Sequence, residues 1–389
     1  MTARRISAIQ PFHVMALLAR ARELEAQGRD IVHMEIGEPD FPTPAPVVEA
    51  GIRALRAGHT HYTPATGLAA LREAIARDYH ERDGLDIDPE RILVTPGASG
   101  ALQLLLALLA DPGSEVLMSD PGYPCNANFA HLFDARPRRI PVGPDTAFQL
   151  DAAHIEANWG PRSCCALVVS PSNPTGTLLA PAAMARLWEA VQGRGGALVV
   201  DEIYRGLCYG ERPPSALGLG GDQLFVLNSF SKYQGMTGWR LGWLVAPAEH
   251  MAALDALAQN LFLAAPTVAQ HAALAGFEAG TREILEQRRE AFRARRDLLV
   301  PALRELGFGV PVTPGGAFYV YADCSRFTDD SFSFCRELLE QAGVAVTPGI
   351  DFGEYQAAAH LRFAYTTEPA RLHEGLARIA GFLGQRADL

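Results

Sequence analysis

Lysine is all but missing from this chain of 389 residues. Of 34 basic residues, 33 are arginine and Lys232 is the exception, and 44 acidic residues bring the formal charge to −10. A codon bias toward arginine and alanine accounts for the scarcity. It does not explain why one lysine survives, or why at that position. Other absences narrow the class. Runs of roughly eighteen apolar residues do not occur, so no membrane-spanning helix is expected. There is no basic tract, which argues against sequence-independent binding to nucleic acid. Six cysteines (Cys125, Cys164, Cys165, Cys208, Cys324, Cys335) form no C-x-x-C and no His pairing at metal spacing. They read as thiols of a reducing cytoplasm, with no metal site; Cys164 and Cys165 would face opposite ways on a strand. Neither the dinucleotide fingerprint G-x-G-x-x-G nor a P-loop is found.

What is present describes a large globular chain. With 48% apolar and 20% charged residues it can bury an extensive core, and its length suggests two or three domains. Arg4 and Arg5 precede an apolar stretch, Ile6 to Leu18, as in a targeting peptide. Gln10, Pro11 and His13 interrupt it, and Val14, Leu17, Leu18, Ala21 and Leu24 recur at helical spacing, so an amphipathic helix of the mature protein is expected. From Ile92 to Pro247, six strand-like runs alternate with helical patterns: Ile92–Val94, Glu115–Met118, Ala166–Val169, Ala197–Val200, Leu224–Leu227 and Gly242–Val245. That alternation indicates an α/β fold with a mostly parallel sheet, whose ligands gather beyond the carboxyl ends of the strands. A long charged pattern, Glu278 to Leu306, reads as a connecting helix with a solvated arginine face. The chain after it reads as a smaller α+β domain joined by the N-terminal segment.

The chemistry concentrates around the lone lysine, in S-F-S-K-Y-Q-G-M-T-G-W-R from Ser229 to Arg240. Ser229, Ser231 and the planar fork of Arg240 are good donors to a phosphate. A lysine beside such a site, outside any P-loop, suits an amine that forms a Schiff base with the aldehyde of pyridoxal phosphate. Upstream, Ala197–Val200 leads into Asp201, with Tyr204 three residues on. A carboxylate there can keep a pyridine nitrogen protonated, although an Asp at a strand end is more often a helix cap. S-P-S-N-P-T-G, Ser170 to Gly176, is a stiff turn able to aim Asn173. V-T-P-G-A-S-G, Val94 to Gly100, passes from strand to helix start, where the amides of Ala98 and Ser99 can hold an anion.

In this order the motifs resemble the class I/II, aspartate aminotransferase-like enzymes of pyridoxal-phosphate fold type I, from I-G-E-P-D-F (Ile36–Phe41) to L-R-F-A-Y (Leu361–Tyr365). The resemblance implies a seven-stranded sheet in a large domain, 46–285, and a small domain of 1–45 and 286–389. It implies that Lys232 carries pyridoxal 5'-phosphate and shuttles the substrate proton. Asp201 would pair with the pyridine nitrogen, Asn173 and Tyr204 with the phenolic oxygen, and Tyr123 would stack on the ring. Ser229, Ser231, Arg240, Ala98 and Ser99 would hold the phosphate. Arg362 would grip the substrate α-carboxylate, with Gly37 close to it. Tyr62 would reach the phosphate of a neighbouring subunit, making a homodimer with shared sites.

The implied reaction moves the α-amino group of an amino acid to a 2-oxo acid. Some aspartate-using relatives place a lysine where this chain has Ser99, and often small hydroxyl residues where it has Phe12, His13 and Val14. These departures favour a neutral or hydrophobic donor. A β-eliminating C–S lyase and an aspartate-specific aminotransferase are the alternatives.

Overall fold

The computed structural model describes residues 2–9 and 11–387; Met1, Gln10, Asp388 and Leu389, among them one residue of the N-terminal reading above, lie outside it. The chain opens with helix α1 (His13–Ala26) and a short strand β1 (Val32–His33). The central sheet comprises β2 (Ile92–Thr95), β3 (Glu115–Asp120), β4 (Arg136–Pro141), β5 (Ser163–Val169), β6 (Ala197–Asp201), β7 (Leu224–Ser229) and β8 (Gly242–Val245). Their spatial order is β2-β8-β7-β6-β5-β3-β4, all parallel except β8. β2, β6 and β8 are buried throughout, because helices cover both faces.

The six strands read from the hydrophobic pattern are all present, and β4 is the seventh that the resemblance implies. β4 reads R-P-R-R-I-P, largely exposed at the edge. Prolines and charges suit an edge that must not recruit another strand, and they hide the strand from a hydrophobicity reading. One correction concerns Cys164. The register jumps from Glu115–Ser163 to Val116–Cys165, so Cys164 is a bulge residue. Its sulfur lies 3.8 Å from that of Cys165 instead of on the opposite face.

One apolar core lies on each face of this sheet, around Leu117, Val200 and Val226 and around Leu104, Val199 and Phe225. A third is built by α1, the helix Ala279–Glu305, the helix Pro369–Ala387 and a three-stranded antiparallel sheet. That sheet orders β11 (Thr347–Pro348), β12 (His360–Ala364) and β9 (Tyr319–Asp323), while β1 pairs with β10 (Val344–Ala345). Each large side chain buried in these cores contributes about 1.5–3 kcal/mol. Tyr204, Leu207, Tyr209 and Tyr233 leave the ends of β6 and β7 and pack into the third core. The carboxyl edge of the central sheet is therefore also the joint with the rest of the chain.

The long helix is not simply a solvated arginine face. Arg295 is buried and donates to both carboxylate oxygens of Asp40, at 2.7 and 2.9 Å, with its guanidinium 5.0 Å from the Phe41 ring. Arg289 and Arg296 donate to the carbonyls of Cys208 and Pro314. These arginines tie the helix to the segment Ile36–Phe41 and to loops of the sheet, a role that charge periodicity alone does not reveal.

Candidate active site

Strand direction explains how residues far apart in sequence converge. β5, β6 and β7 run parallel, so the turn Ser170–Gly176, Asp201 and the segment Ser229–Lys232 leave the sheet at one edge. β8 runs oppositely, so its start brings Arg240 to that edge as well. β2 ends there too and leads into the helix Gly97–Leu109, whose first turn carries Ala98 and Ser99. These elements enclose a cavity of about 320 Å³. Gly37, Tyr123, Tyr204 and Arg362 complete its lining with Ala98, Ser99, Asn173, Asp201, Ser229, Ser231, Lys232 and Arg240. Of the cofactor- and substrate-binding residues that the resemblance implies, Tyr62 alone lies elsewhere: it is 83% exposed on the surface.

At one end the donors suit an anion. Ser229 Oγ donates to Ser231 Oγ at 3.0 Å and accepts from the Ser231 amide at 3.1 Å. Gly97 has φ +70°, and a Cβ there would fall 2.6 Å from Nη2 of Arg240. A Cβ on Gly242 would sit 2.9 Å from the Ala98 nitrogen. Two glycines thus let the guanidinium and the helix start approach each other.

Deeper in, the charged groups are perturbed. Lys232 Nζ donates to the Gly37 carbonyl at 2.7 Å. Burial, above all, lowers its pKa to about 8; Arg362 and Arg240 push the same way, while Glu38 and Asp201 oppose. Asp201 accepts the Ile203 amide at 2.9 Å, and burial raises its pKa to about 7, with Glu202 adding to the effect. Among the described hydrogen bonds, no cation partners Asp201. A buried carboxylate in that condition suits a ligand that brings its own N–H⁺.

The opposite wall holds Arg362. It donates to Asn173 Oδ1 at 3.0 Å, the Glu35 carbonyl at 2.6 Å and Thr347 Oγ1 at 3.2 Å. Its guanidinium lies between the rings of Tyr319 and Phe352, 4.4 and 4.8 Å from their centroids. Tyr319 went unnoticed in the sequence. Its hydroxyl is 2.9 Å from that of Tyr204, and a Cβ on Gly37 would collide with it. Thr347, Asp351 and Phe352 were missed likewise. Each is a single residue in an apolar or loop stretch, and only the pairing of β9, β11 and β12 brings them to the cavity.

An amine of lowered pKa, an uncompensated buried carboxylate and an anion cradle fit an aldehyde-bearing, protonated, phosphorylated heterocycle. On this fold such a donor set defines a pyridoxal-phosphate-dependent transferase of fold type I. Comparison with known proteins gives the family. The sequence profile described as aminotransferase class I and II matches residues 29–379. The valine–pyruvate aminotransferase of Mycobacterium tuberculosis is 36% identical over 376 residues, 96% of this chain and 97% of that one. The aspartate/prephenate aminotransferase of Thermus thermophilus is 35% identical over 384 residues, 98% of each. A crystal structure of an aminotransferase from M. tuberculosis superposes with a TM-score of 0.95, at 36% identity and 99% coverage of both chains. The chain belongs to the class I and II aminotransferases and is an amino-acid aminotransferase that uses pyridoxal phosphate. Among the described residues no helix is long and apolar enough to cross a membrane, and no His, Cys, Asp and Glu cluster could hold a metal ion.

Proposed function

We propose that this enzyme transaminates a neutral or hydrophobic amino acid at a site organised around Lys232. The observation that carries the reading is the convergence of Lys232, Asp201, Arg240 and Arg362 in one cavity. Ser229, Ser231, Arg240 and the amides of Ala98 and Ser99 hold the cofactor phosphate, and Tyr123 packs on the ring. Asp201 pairs with the ring nitrogen, and Asn173 and Tyr204 donate to the phenolic oxygen. Pyridoxal phosphate, once bound, supplies an electron sink and carries the amino group between substrates. Arg362 clamps the α-carboxylate of the donor by a planar, two-pronged contact, with Gly37 leaving room for it. Lys232 Nζ takes the proton from the donor α-carbon, and its lowered pKa leaves part of it neutral and basic near pH 8. The 2-oxo acid acceptor uses the same clamp in the reverse half-reaction.

The choice of donor rests on charge. The cations that line the cavity are Lys232, Arg240 and Arg362, and the cofactor and the α-carboxylate use all three. A second carboxylate on the donor would find no counter-ion. Phe12, Val14, Leu18 and Phe129 give the remaining wall an apolar character. Aromatic, methionine-like or alanine-type donors are therefore expected to outperform aspartate.

The large domain is taken as 46–285 and the small domain as 1–45 with 286–389, and both contribute residues to the cavity. Exposed Tyr62, Leu261 and Leu263 favour a homodimer in which Tyr62 serves the partner's phosphate site. The free cysteines favour the cytoplasm. Titrating purified holoenzyme with single amino acids, and following the cofactor absorption band, tests the reading. Neutral donors should convert the band at lower concentration than aspartate, and a clear preference for aspartate would overturn the donor assignment.

A further inference from the structure

The geometry points to Asp351 as a specificity-determining residue: its carboxylate pins the first turn of α1 as an apolar wall and repels a donor with a side-chain carboxylate. This rests on the reading that Arg362 holds the donor α-carboxylate in the cavity.

Helix α1 begins without a cap of its own. Phe12 occupies the capping position, with no side-chain hydrogen bond to the helix. The acceptor comes from the far end of the chain instead. Asp351 Oδ1 accepts the His13 amide at 2.7 Å, and Oδ2 accepts the Val14 amide at 2.8 Å. A carboxylate at that position also favours the helix dipole.

The pinned turn is a wall of the cavity. Phe12, Val14, Met15 and Leu18 all line it, yet Met15 is 54% exposed to solvent. Beyond this turn α1 packs into the third core through Leu17, Ala21 and Leu24, so the anchor acts on the one turn that faces the cavity. Asp351 itself is buried and lines the same cavity. It ends the short turn Gly349–Asp351 after β11, and the next residue, Phe352, carries its ring against the Arg362 guanidinium. That turn has little freedom, because a Cβ on Gly349 would meet the His360 carbonyl at 2.6 Å.

A donor clamped at Arg362 therefore extends its side chain toward an apolar surface with the Asp351 carboxylate behind it; burial pushes the pKa of that carboxyl up, while the two helix amides and Arg362 pull it down. Glu35, the cavity's other acid besides Asp201, already has a partner: its Oε1 lies 2.7 Å from His33 Nδ1. Apart from the helix start that it caps, only Arg362 among the lining cations offsets Asp351, and Arg362 is engaged with the α-carboxylate. A like charge there disfavours dicarboxylates, whereas an apolar side chain gains the contact.

The test compares holoenzyme of the wild type, Asp351→Asn and Asp351→Ala, using leucine, phenylalanine and aspartate as donors. Asp351→Asn keeps the shape and one acceptor but removes the charge, so the aspartate-to-leucine ratio of kcat/KM should rise at least tenfold, about 1.4 kcal/mol. Asp351→Ala removes the anchor as well. Its loss for leucine should fall in KM, by about tenfold, rather than in kcat, and hydrogen exchange should quicken in the first turn of α1. An unmoved ratio in Asp351→Asn overturns the proposal, whatever the alanine variant does. If the wild type prefers leucine and the ratio is unmoved, only the role of Asp351 fails. A wild type that prefers aspartate removes the donor reading beneath it.

Discussion

Lys232 Nζ donates to the carbonyl of Gly37 at 2.7 Å across a sequence separation of 195 residues. One partner stands just beyond β7 and the other on the segment that crosses from the N-terminal region into the third core. The contact ties the reactive amine to the joint between the central sheet and the rest of the chain. It also gives the amine a single acceptor in a buried place, so burial dominates and its pKa falls to about 8.

The cofactor-free protein should be least stable where these groups are charged. For Lys232 the folded pKa, about 8, lies below the ordinary 10.5. Below pH 8 the amine is charged in both states and the folded state carries the full cost, about 3 kcal/mol. Between pH 8 and 10.5 the unfolded chain holds a proton that the folded chain has released, so stability rises with pH. Asp201 has the opposite sign. Its folded pKa of about 7 exceeds 3.8, so stability falls as pH rises across that window. Chemical denaturation of apo Lys232→Met at pH 7.5 should show a gain of about 3 kcal/mol that shrinks by pH 10.5. Apo Asp201→Asn should show a gain at pH 7.5 that is absent at pH 4.

Gly97→Ala should weaken cofactor binding. The substitution forces an L-residue to φ +70° and sets a methyl 2.6 Å from the Arg240 guanidinium. Equilibrium dialysis should give a Kd for pyridoxal phosphate raised at least about tenfold. Gly28→Ala is the control: its φ is +87°, but nothing lies within 4 Å of the added Cβ. It should cost about 1 kcal/mol of stability and leave cofactor affinity alone.

Arg362→Lys should act on the donor more than on the cofactor. Lysine keeps the charge but loses the planar fork and the packing between Tyr319 and Phe352. The kcat/KM for the best donor should fall on the order of 30-fold, about 2 kcal/mol, while the Kd for the cofactor changes little.

Tyr204→Phe should move a spectrum. On the proposed roles, removing this donor destabilises the deprotonated phenolic oxygen of the cofactor, so the pH midpoint of its absorption band should rise by about one pH unit. Tyr319→Phe should shift it in the same direction by less. Tyr319 acts through the Tyr204 hydroxyl, 2.9 Å away.

How much of this was legible in the sequence follows from how local each signal is. Lys232, Ser229, Ser231 and Arg240 share one twelve-residue segment, Ser229 to Arg240, and Asp201 and Asn173 each end or follow an apolar strand. Such residues advertise their chemistry through their neighbours. Tyr319 and Thr347 do not, because each lies in a stretch that reads as core, and their place depends on antiparallel pairing in another part of the chain. Asp351 is more hidden still: its partners are backbone amides at the opposite end of the sequence. The strand Arg136–Pro141 escaped notice for the reverse reason, since an exposed edge carries no hydrophobic pattern. Arg295 looked solvated because periodicity cannot tell an ion pair with Asp40 from a face in water.

The scarcity of lysine makes the central claim unusually easy to test. Arginine stays protonated at working pH and cannot act as the amine, so a bias toward arginine could replace every other lysine but not this one. Borohydride reduction of the holoenzyme, followed by peptide mass mapping, should find one cofactor adduct per chain, on Lys232. Label on another residue, or unlabelled Lys232 in cofactor-loaded protein, would contradict the account.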